Sequence, residues 1–259
     1  MRARIAAIQM VSGPELGPNL AAAERLVAAA AAAGAQLAAL PENFYLIGRR
    51  ETDKVALRES DGSGPVQNFL AEVSRKNKIW IVGGTAPIAT EDDQRIRGAC
   101  LVYDDSGKRV ARYDKMHLFR FENEAERYDE ARTLQAGTRP VAAASPFGRL
   151  ALSVCYDVRF PELYRGLGEF DVMFVPSAFT VPTGAAHWET LLRARAIENK
   201  AYVVAPAQGG THAGGRRTWG HSMIVDPWGE ILASRDEGEG VVLAEIDHER
   251  LKEVRRRWS

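Results

Sequence analysis

Short apolar runs alternate with amphipathic stretches along the whole chain. Residues 4–10 predict a first strand. Residues 20–33 follow as an alanine-rich helix, with Asn19 as its N-cap and Gly34 at its C′ position. Residues 36–40 return as a second strand. A strand–helix–strand unit favours parallel pairing and a sheet covered by helices. Val66, Phe69, Leu70 and Val73 fall at i, i+3, i+4 and i+7, which predicts a helix with one buried stripe.

Residues 79–83 form a β-rich run that ends in Gly83-Gly84. Residues 99–103 and 109–113, separated by Asp104-Asp105-Ser106-Gly107-Lys108, read as a hairpin. Further strands are predicted at 150–155, 172–176, 202–206, 222–226 and 241–246, with helices at 161–167, 188–200 and 248–257. Asp226-Pro227-Trp228-Gly229 is the turn of a second hairpin. No linker rich in Pro, Gly or Ser divides the chain and no repeat is visible, so residues 1–259 read as one α/β domain with a mixed sheet. Residues 119–137 are long, charged and weakly periodic, as functional loops often are.

Composition narrows the class. Of 259 residues, 46% are hydrophobic and 26% charged, which is the make-up of an ordinary globular protein. A chain of this length buries roughly 70–75% of its unfolded surface. Lys plus Arg and Asp plus Glu are equal at 34 each, so there is no global field for nucleic acid or anionic lipid. Arg255-Arg256-Arg257 is read as a solvated helix end. No apolar stretch reaches the ~20 residues that cross a bilayer, and the first residues lack a signal peptide's apolar region. Two cysteines do not make a disulfide framework. The expectation is a reduced, cytoplasmic protein with neither membrane nor nucleic-acid partners.

Cys155 falls at the carboxyl end of a predicted strand, before the turn Tyr156-Asp157-Val158-Arg159-Phe160 and Pro161 at a helix N1 position. Ligands of α/β sheets collect at such ends. Turn amides and helix dipoles there favour thiolate. A buried core cysteine would look the same locally. Cys100, inside a strand, reads as structural.

A thiol nucleophile needs a base and an oxyanion partner. His117 and His221 sit in apolar surroundings, His187 opens a predicted helix, and His212 and His248 look exposed. None has a triad context in sequence. Two other groups stand at strand ends: Glu42 in Leu40-Pro41-Glu42-Asn43-Phe44, and Lys115 in Tyr113-Asp114-Lys115-Met116-His117. Each alone would pass for a surface charge. Together with Cys155 they are more suggestive, because strand ends on one edge of a parallel sheet converge.

Pro41-Glu42-Asn43-Phe44, Asp114-Lys115-Met116-His117-Leu118-Phe119 and Val154-Cys155-Tyr156-Asp157-Val158-Arg159-Phe160-Pro161-Glu162-Leu163 resemble the Glu, Lys and Cys motifs of the nitrilase, or carbon–nitrogen hydrolase, superfamily. Pro176-Ser177-Ala178-Phe179, His187-Trp188-Glu189, Arg193-Ala194-Arg195-Ala196-Ile197-Glu198 and Trp219-Gly220-His221-Ser222-Met223 are similar to its Nit branch, which holds deaminated glutathione amidases and omega-amidases.

The resemblance implies a four-layer α-β-β-α sandwich with mixed sheets, no cofactor and no metal, and a homodimer or higher homo-oligomer. It implies Cys155 as nucleophile, Glu42 as base, and Lys115 with the Tyr156 backbone N–H as oxyanion partners. It implies a second glutamate, assigned to Glu130 in Tyr128-Asp129-Glu130-Ala131-Arg132, with Glu122, Glu124 and Glu126 as rivals in the same loop. Arg159, Ser177 and Phe179 are the implied substrate-binding residues, although a structural ion pair would equally explain Arg159.

The substrate class the resemblance implies is a small amide whose acyl part carries a carboxylate, of the deaminated-glutathione type. An omega-amide, a carbamoyl amino acid or a nitrile are alternatives within the family. Outside it stand a Cys–His peptidase or acyltransferase, for which no local signature occurs, and an inactive binding protein. No Cys/His pair has zinc-ligand spacing, and neither a Walker nor a dinucleotide glycine motif is present.

Overall fold

The computed structural model describes residues 1–122 and 127–257. β1 (Arg2–Gln9), α1 (Leu16–Ala32) and β2 (Leu37–Leu40) form the expected unit, with β1 and β2 paired in parallel. α2 (Pro65–Asn77) leads to β3 (Trp80–Gly83), which is parallel to β2. β4 (Ala86–Ala89), β5 (Ile96–Tyr103) and β6 (Arg109–Asp114) add antiparallel pairs, and β5 and β6 make the predicted hairpin. The strand β7 (Arg120–Glu122) pairs with β8 (Arg127–Asp129) in a short ribbon.

The second half supplies β9 (Val141–Ser145), β10 (Gly148–Leu152), α3 (Pro161–Arg165), β11 (Val172–Phe174), α4 (Val181–Asn199) and β12 (Tyr202–Ala205). A ribbon of β13 (Gly209–Thr211) and β14 (Arg217–Trp219) follows. Then come β15 (Ser222–Val225), β16 (Ile231–Arg235), β17 (Gly240–Asp247) and α5 (His248–Arg256). One sheet runs β17-β1-β2-β3-β5-β4 with β6 on β5, and the other runs β16-β15-β12-β11-β10-β9. In each the central strands are parallel and the flanking ones antiparallel.

Alternate residues show how the layers stack. Ile5, Ala7, Leu37 and Ala39 join the core that holds Leu150, Leu152, Phe174 and Val203 of the second sheet, together with Trp188 and Leu192 of α4. Their neighbours Ala6, Ile8, Ala38 and Leu40 pack instead on Leu26 and Val27 of α1 and Leu70 and Val73 of α2. Strands buried on both faces are apolar at nearly every position, so the runs show no alternation. The order is helices, sheet, sheet, helices, as the resemblance implied.

Two helices start earlier than their patterns suggest. α1 begins at Leu16, and Asn19 does not cap it. The Asn19 amide is buried and bonds to both backbone groups of Gly13 (2.7 and 2.9 Å) and to the Tyr45 carbonyl (2.9 Å), tying two loops together. α4 begins at Val181, so residues 181–186 are helix rather than loop and His187 lies inside it. Among the described residues no helix is long and apolar enough to cross a membrane.

Candidate active site

Parallel strands in both sheets deliver their carboxyl ends to one edge of the sandwich. Glu42 lies two residues past β2 and Lys115 directly after β6, both from the first sheet. Cys155 lies three residues past β10, in the second. The groups therefore meet between two facing sheets. Convergence along a single sheet edge, as the sequence suggested, is corrected by this arrangement.

Lys115 is 1% exposed and sits between two carboxylates. Its Nζ is 2.7 Å from Glu42 Oε1 and 2.9 and 2.7 Å from the two oxygens of Glu130. Burial alone would lower the ammonium's pKa. The charges of Glu130 and Glu42, and then of a Cys155 thiolate, outweigh it and raise the pKa well above the ordinary lysine value. Lys115 is a fixed cation. Glu42 Oε2 accepts from the Ala178 N–H at 3.0 Å, a contact that crosses from sheet to sheet.

Cys155 is buried beside these groups and opens a short 3₁₀ turn, Cys155–Arg159. Its φ of 50° is left-handed, a conformation that costs a non-glycine residue energy and recurs at functional turns. The Cys155 N–H donates to the Pro176 carbonyl at 2.9 Å. Burial pushes the thiol well above its ordinary pKa, and the Glu42 and Glu130 charges add to this. Lys115 and the Ala178 N–H oppose it. The resting group is a thiol that needs a base. The Tyr156 N–H is among the first of its turn and so has no acceptor within it.

Asp157, which the sequence left unassigned, locks this turn. It is fully buried. Its Oδ2 accepts from Val154 N–H (2.8 Å) and Tyr113 O–H (2.7 Å), while Oδ1 accepts from His117 N–H (3.0 Å) and lies 2.7 Å from His117 Nδ1. His117 also stacks on Phe160, with ring centroids 3.7 Å apart. Arg195 donates to the Val158 carbonyl from behind at 2.7 Å. Buried Gln208 supports the Glu42 side. Its amide donates to Ser12 Oγ (2.8 Å) and the Glu42 carbonyl (3.2 Å) and accepts from Ser12 N–H. Asn43, at φ 56°, donates its N–H to Thr85 Oγ1. A Cβ on Gly84 would run into the Pro41 carbonyl, so that strand end must be glycine for the Glu42 loop to lie where it does.

Of the rival glutamates, Glu122 is exposed on β7 and the second carboxylate on Lys115 belongs to Glu130. Glu124 and Glu126 lie outside the described residues. The space beside Cys155 is lined by Phe119, Tyr156, Ala178, Phe179, Thr180 and Thr183. The Ser177 hydroxyl is fully buried and donates to the Val175 carbonyl at 2.9 Å, while its backbone pairs with Pro206 and Gln208.

Arg159 stands over the Tyr156 and Phe179 rings, 5.8 and 5.5 Å from their centroids, with Nη2 3.3 Å from His187 Nδ1. No ion pair is formed by Arg159 among the described residues. The structural ion pair considered for it is absent there. His212 is buried, not exposed, and bonds to the Ser12 carbonyl and Thr218. Burial first, with the charge of Arg216, lowers its pKa against that bond. Among the described residues no three His, Cys, Asp or Glu side chains are grouped to hold a metal ion.

Residues 4–256 match the family model described as carbon-nitrogen hydrolase. A protein named deaminated glutathione amidase from Synechocystis sp. is 46% identical over 257 residues, covering 96% of this chain and 93% of its own. The crystal structure of the Caenorhabditis elegans NitFhit protein superposes with a TM-score of 0.90 at 39% identity. That match covers 99% of this chain and 63% of the longer protein. A mutant amidase from Nesterenkonia sp. AN1 superposes with a TM-score of 0.81 at 26% identity, covering 99% of this chain and 100% of that one. It was solved with acrylamide joined to its active-site cysteine by Michael addition.

Proposed function

Because the chain belongs to the carbon–nitrogen hydrolase family, we propose that it is a thiol amidase that cleaves a small, carboxylate-bearing amide through a thioester on Cys155. The observation that carries this reading is a buried thiol beside one carboxylate, Glu42, and one fixed cation, Lys115. That set contains each group acyl transfer needs.

Glu42 takes the thiol proton as sulfur attacks the amide carbon. Charge develops on the carbonyl oxygen, where the Lys115 ammonium and the Tyr156 N–H receive it. As the C–N bond breaks, Glu42 returns the proton to the departing nitrogen. Water then attacks the thioester, its proton goes to Glu42, and the acid leaves as the thiol is restored. Glu130 keeps Lys115 charged and in place through both halves. Glu42 Oε2 stays aligned through the Ala178 N–H, so one oxygen is held by Lys115 and the other by the second sheet.

The acyl group's carboxylate is assigned to Arg159, whose guanidinium is held by two aromatic faces and forms no ion pair among the described residues. The Synechocystis relative's name points the same way, to an amide with an acidic acyl part. The test is amine and ammonia release over a panel: deaminated glutathione, 2-oxoglutaramate, succinamate, carbamoyl amino acids and simple nitriles. Turnover of the first group with none of the nitriles is expected. Nitrile turnover without amide turnover would refute the reading.

A further inference from the structure

The His187-Trp188 pair of α4 touches two groups beside the thiol, Arg159 and Phe179, and the mechanism above gives it no part. His187 lies four residues after Thr183, which lines the space at Cys155. Side chains four apart share a helix face, so the face that Thr183 turns to the site also carries His187.

Trp188 anchors that face. It is 1% exposed, its ring centroid lies 4.7 Å from that of Phe179, and its Nε1–H donates to the His221 carbonyl at 2.8 Å. Shifting the helix here breaks a buried ring contact and a hydrogen bond, so His187 stands on a fixed base. The side chains close a circuit. Trp188 packs on Phe179, the Arg159 guanidinium lies over Phe179, and Arg159 reaches back to His187.

His187 is exposed, and its Nδ1 lies 3.3 Å from Arg159 Nη2. A guanidinium only donates, so Nδ1 accepts and the neutral ring carries its proton on Nε2. The Tyr156 and Phe179 rings attract the Arg159 charge from 5.8 and 5.5 Å but leave the fork free to turn. A hydrogen bond is directional, and this one sets the turn. One N–H goes to His187, and the rest of the fork is aimed as a unit at a carboxylate. Without that bond the substrate itself would have to order a long, flexible side chain, which weakens binding.

We propose that His187 is the positioning residue that orients Arg159, and so sets how strongly the site prefers an acyl group bearing a carboxylate. It touches no reacting atom and acts through Arg159 alone. This role rests on the amidase reading above, in which Arg159 meets that carboxylate.

The test is a double-mutant cycle between His187 and Arg159. It is read on the carboxylate-bearing amide of the panel that wild type cleaves fastest, and on its analogue with an isopropyl group in place of that carboxylate. His187→Leu should raise KM for the carboxylate amide about 3- to 10-fold, the scale of one hydrogen bond, with kcat little changed. The neutral analogue should be unaffected. His187→Asn, whose side-chain oxygen accepts in place of Nδ1, should restore part of the loss. Beside Arg159→Gln, His187→Leu should add nothing. Because position 187 is exposed, these variants should melt with wild type.

An unchanged KM, an equal rise for the neutral analogue, or a full His187→Leu loss that persists beside Arg159→Gln overturns the positioning role and leaves the amidase reading standing. If Arg159→Gln alone leaves KM for the carboxylate amide at the wild-type value, the carboxylate assignment fails and takes this role with it. Turnover of no amide in the panel refutes the amidase reading and the role together.

Discussion

Two buried cysteines sit in different settings. Cys100 lies in the middle of β5, opposite Tyr113 of β6, in regular strand geometry. Burial, and then the charge of Asp157, push its thiol up to about 12. Burial is also the first cause of the raised pKa at Cys155. What separates the two is their surroundings. Cys155 stands on a left-handed turn beside Glu42 and Lys115, with the Ala178 N–H, which donates to Glu42 Oε2, close by. Burial raises the thiol in both places, and among the described residues only Cys155 has a carboxylate and a fixed ammonium beside it, the groups the proposed mechanism needs.

Removing the sulfur from each position is the strongest way to break that comparison. Cys155→Ala should abolish turnover and leave the thermal melt nearly unchanged, since it removes one atom from a preformed site. Cys100→Ala should keep turnover and lose on the order of 1 kcal/mol of stability in denaturant titration. Residual activity above a few per cent in Cys155→Ala would reassign the nucleophile.

The partners come next. Glu42→Gln keeps the shape but cannot accept a proton, so kcat should fall by ~10²–10⁴, and further because Glu42 serves both half-reactions. Lys115→Met should cost ~10²–10³ in kcat. It also strands the buried Glu42 and the partly buried Glu130 carboxylates, so its melt must be recorded alongside. His117→Ala or His221→Ala should cost far less than either in kcat. A silent but folded histidine variant beside an active Glu42→Gln would make this a Cys–His enzyme.

Arg159→Gln sharpens the account of the substrate. KM for a carboxylate-bearing amide should rise about tenfold or more, on the scale of a lost charge-assisted pair, with a smaller change in kcat. Equal loss on an amide of the same size without the carboxylate would assign Arg159 to structure.

The smallest effect concerns pH. The Cys100 thiol ionises near its ordinary value of 9.0 when unfolded but near 12 when folded. Between those values the folded state holds the extra proton, so stability falls as pH rises through that window. Wild type should therefore lose stability faster than Cys100→Ala above about pH 9, by on the order of 1 kcal/mol per pH unit. Parallel slopes would contradict the assignment.

Much of the fold was legible because β-rich runs end in turns, which located Glu42, Lys115 and Cys155 at strand ends. Which sheet each strand joins depends on tertiary pairing, and so the meeting of two sheets was not visible. Asp157 looks like an ordinary turn carboxylate until Tyr113, His117 and Val154 are brought to it. Gln208 and Asn19 tie loops far apart in sequence, and nothing local marks either.

The early start of α4 was hidden by Pro182, Thr183 and Gly184, which are poor helix formers. Proline is tolerated in a first turn, and Gly184 lets the helix pack closely on Trp219. The resemblance placed Ser177 near the substrate, and nothing in the sequence shows that its hydroxyl turns back to the Val175 carbonyl.

The most direct check on the contrast between the cysteines is iodoacetamide labelling of the folded protein, with each thiol followed by peptide mass spectrometry and activity assayed in the same samples. Labelling of Cys155 should track the loss of activity one for one and slow when substrate is present, while Cys100 stays unmodified. Full activity after complete modification of Cys155, or inactivation that follows Cys100 instead, would contradict the account.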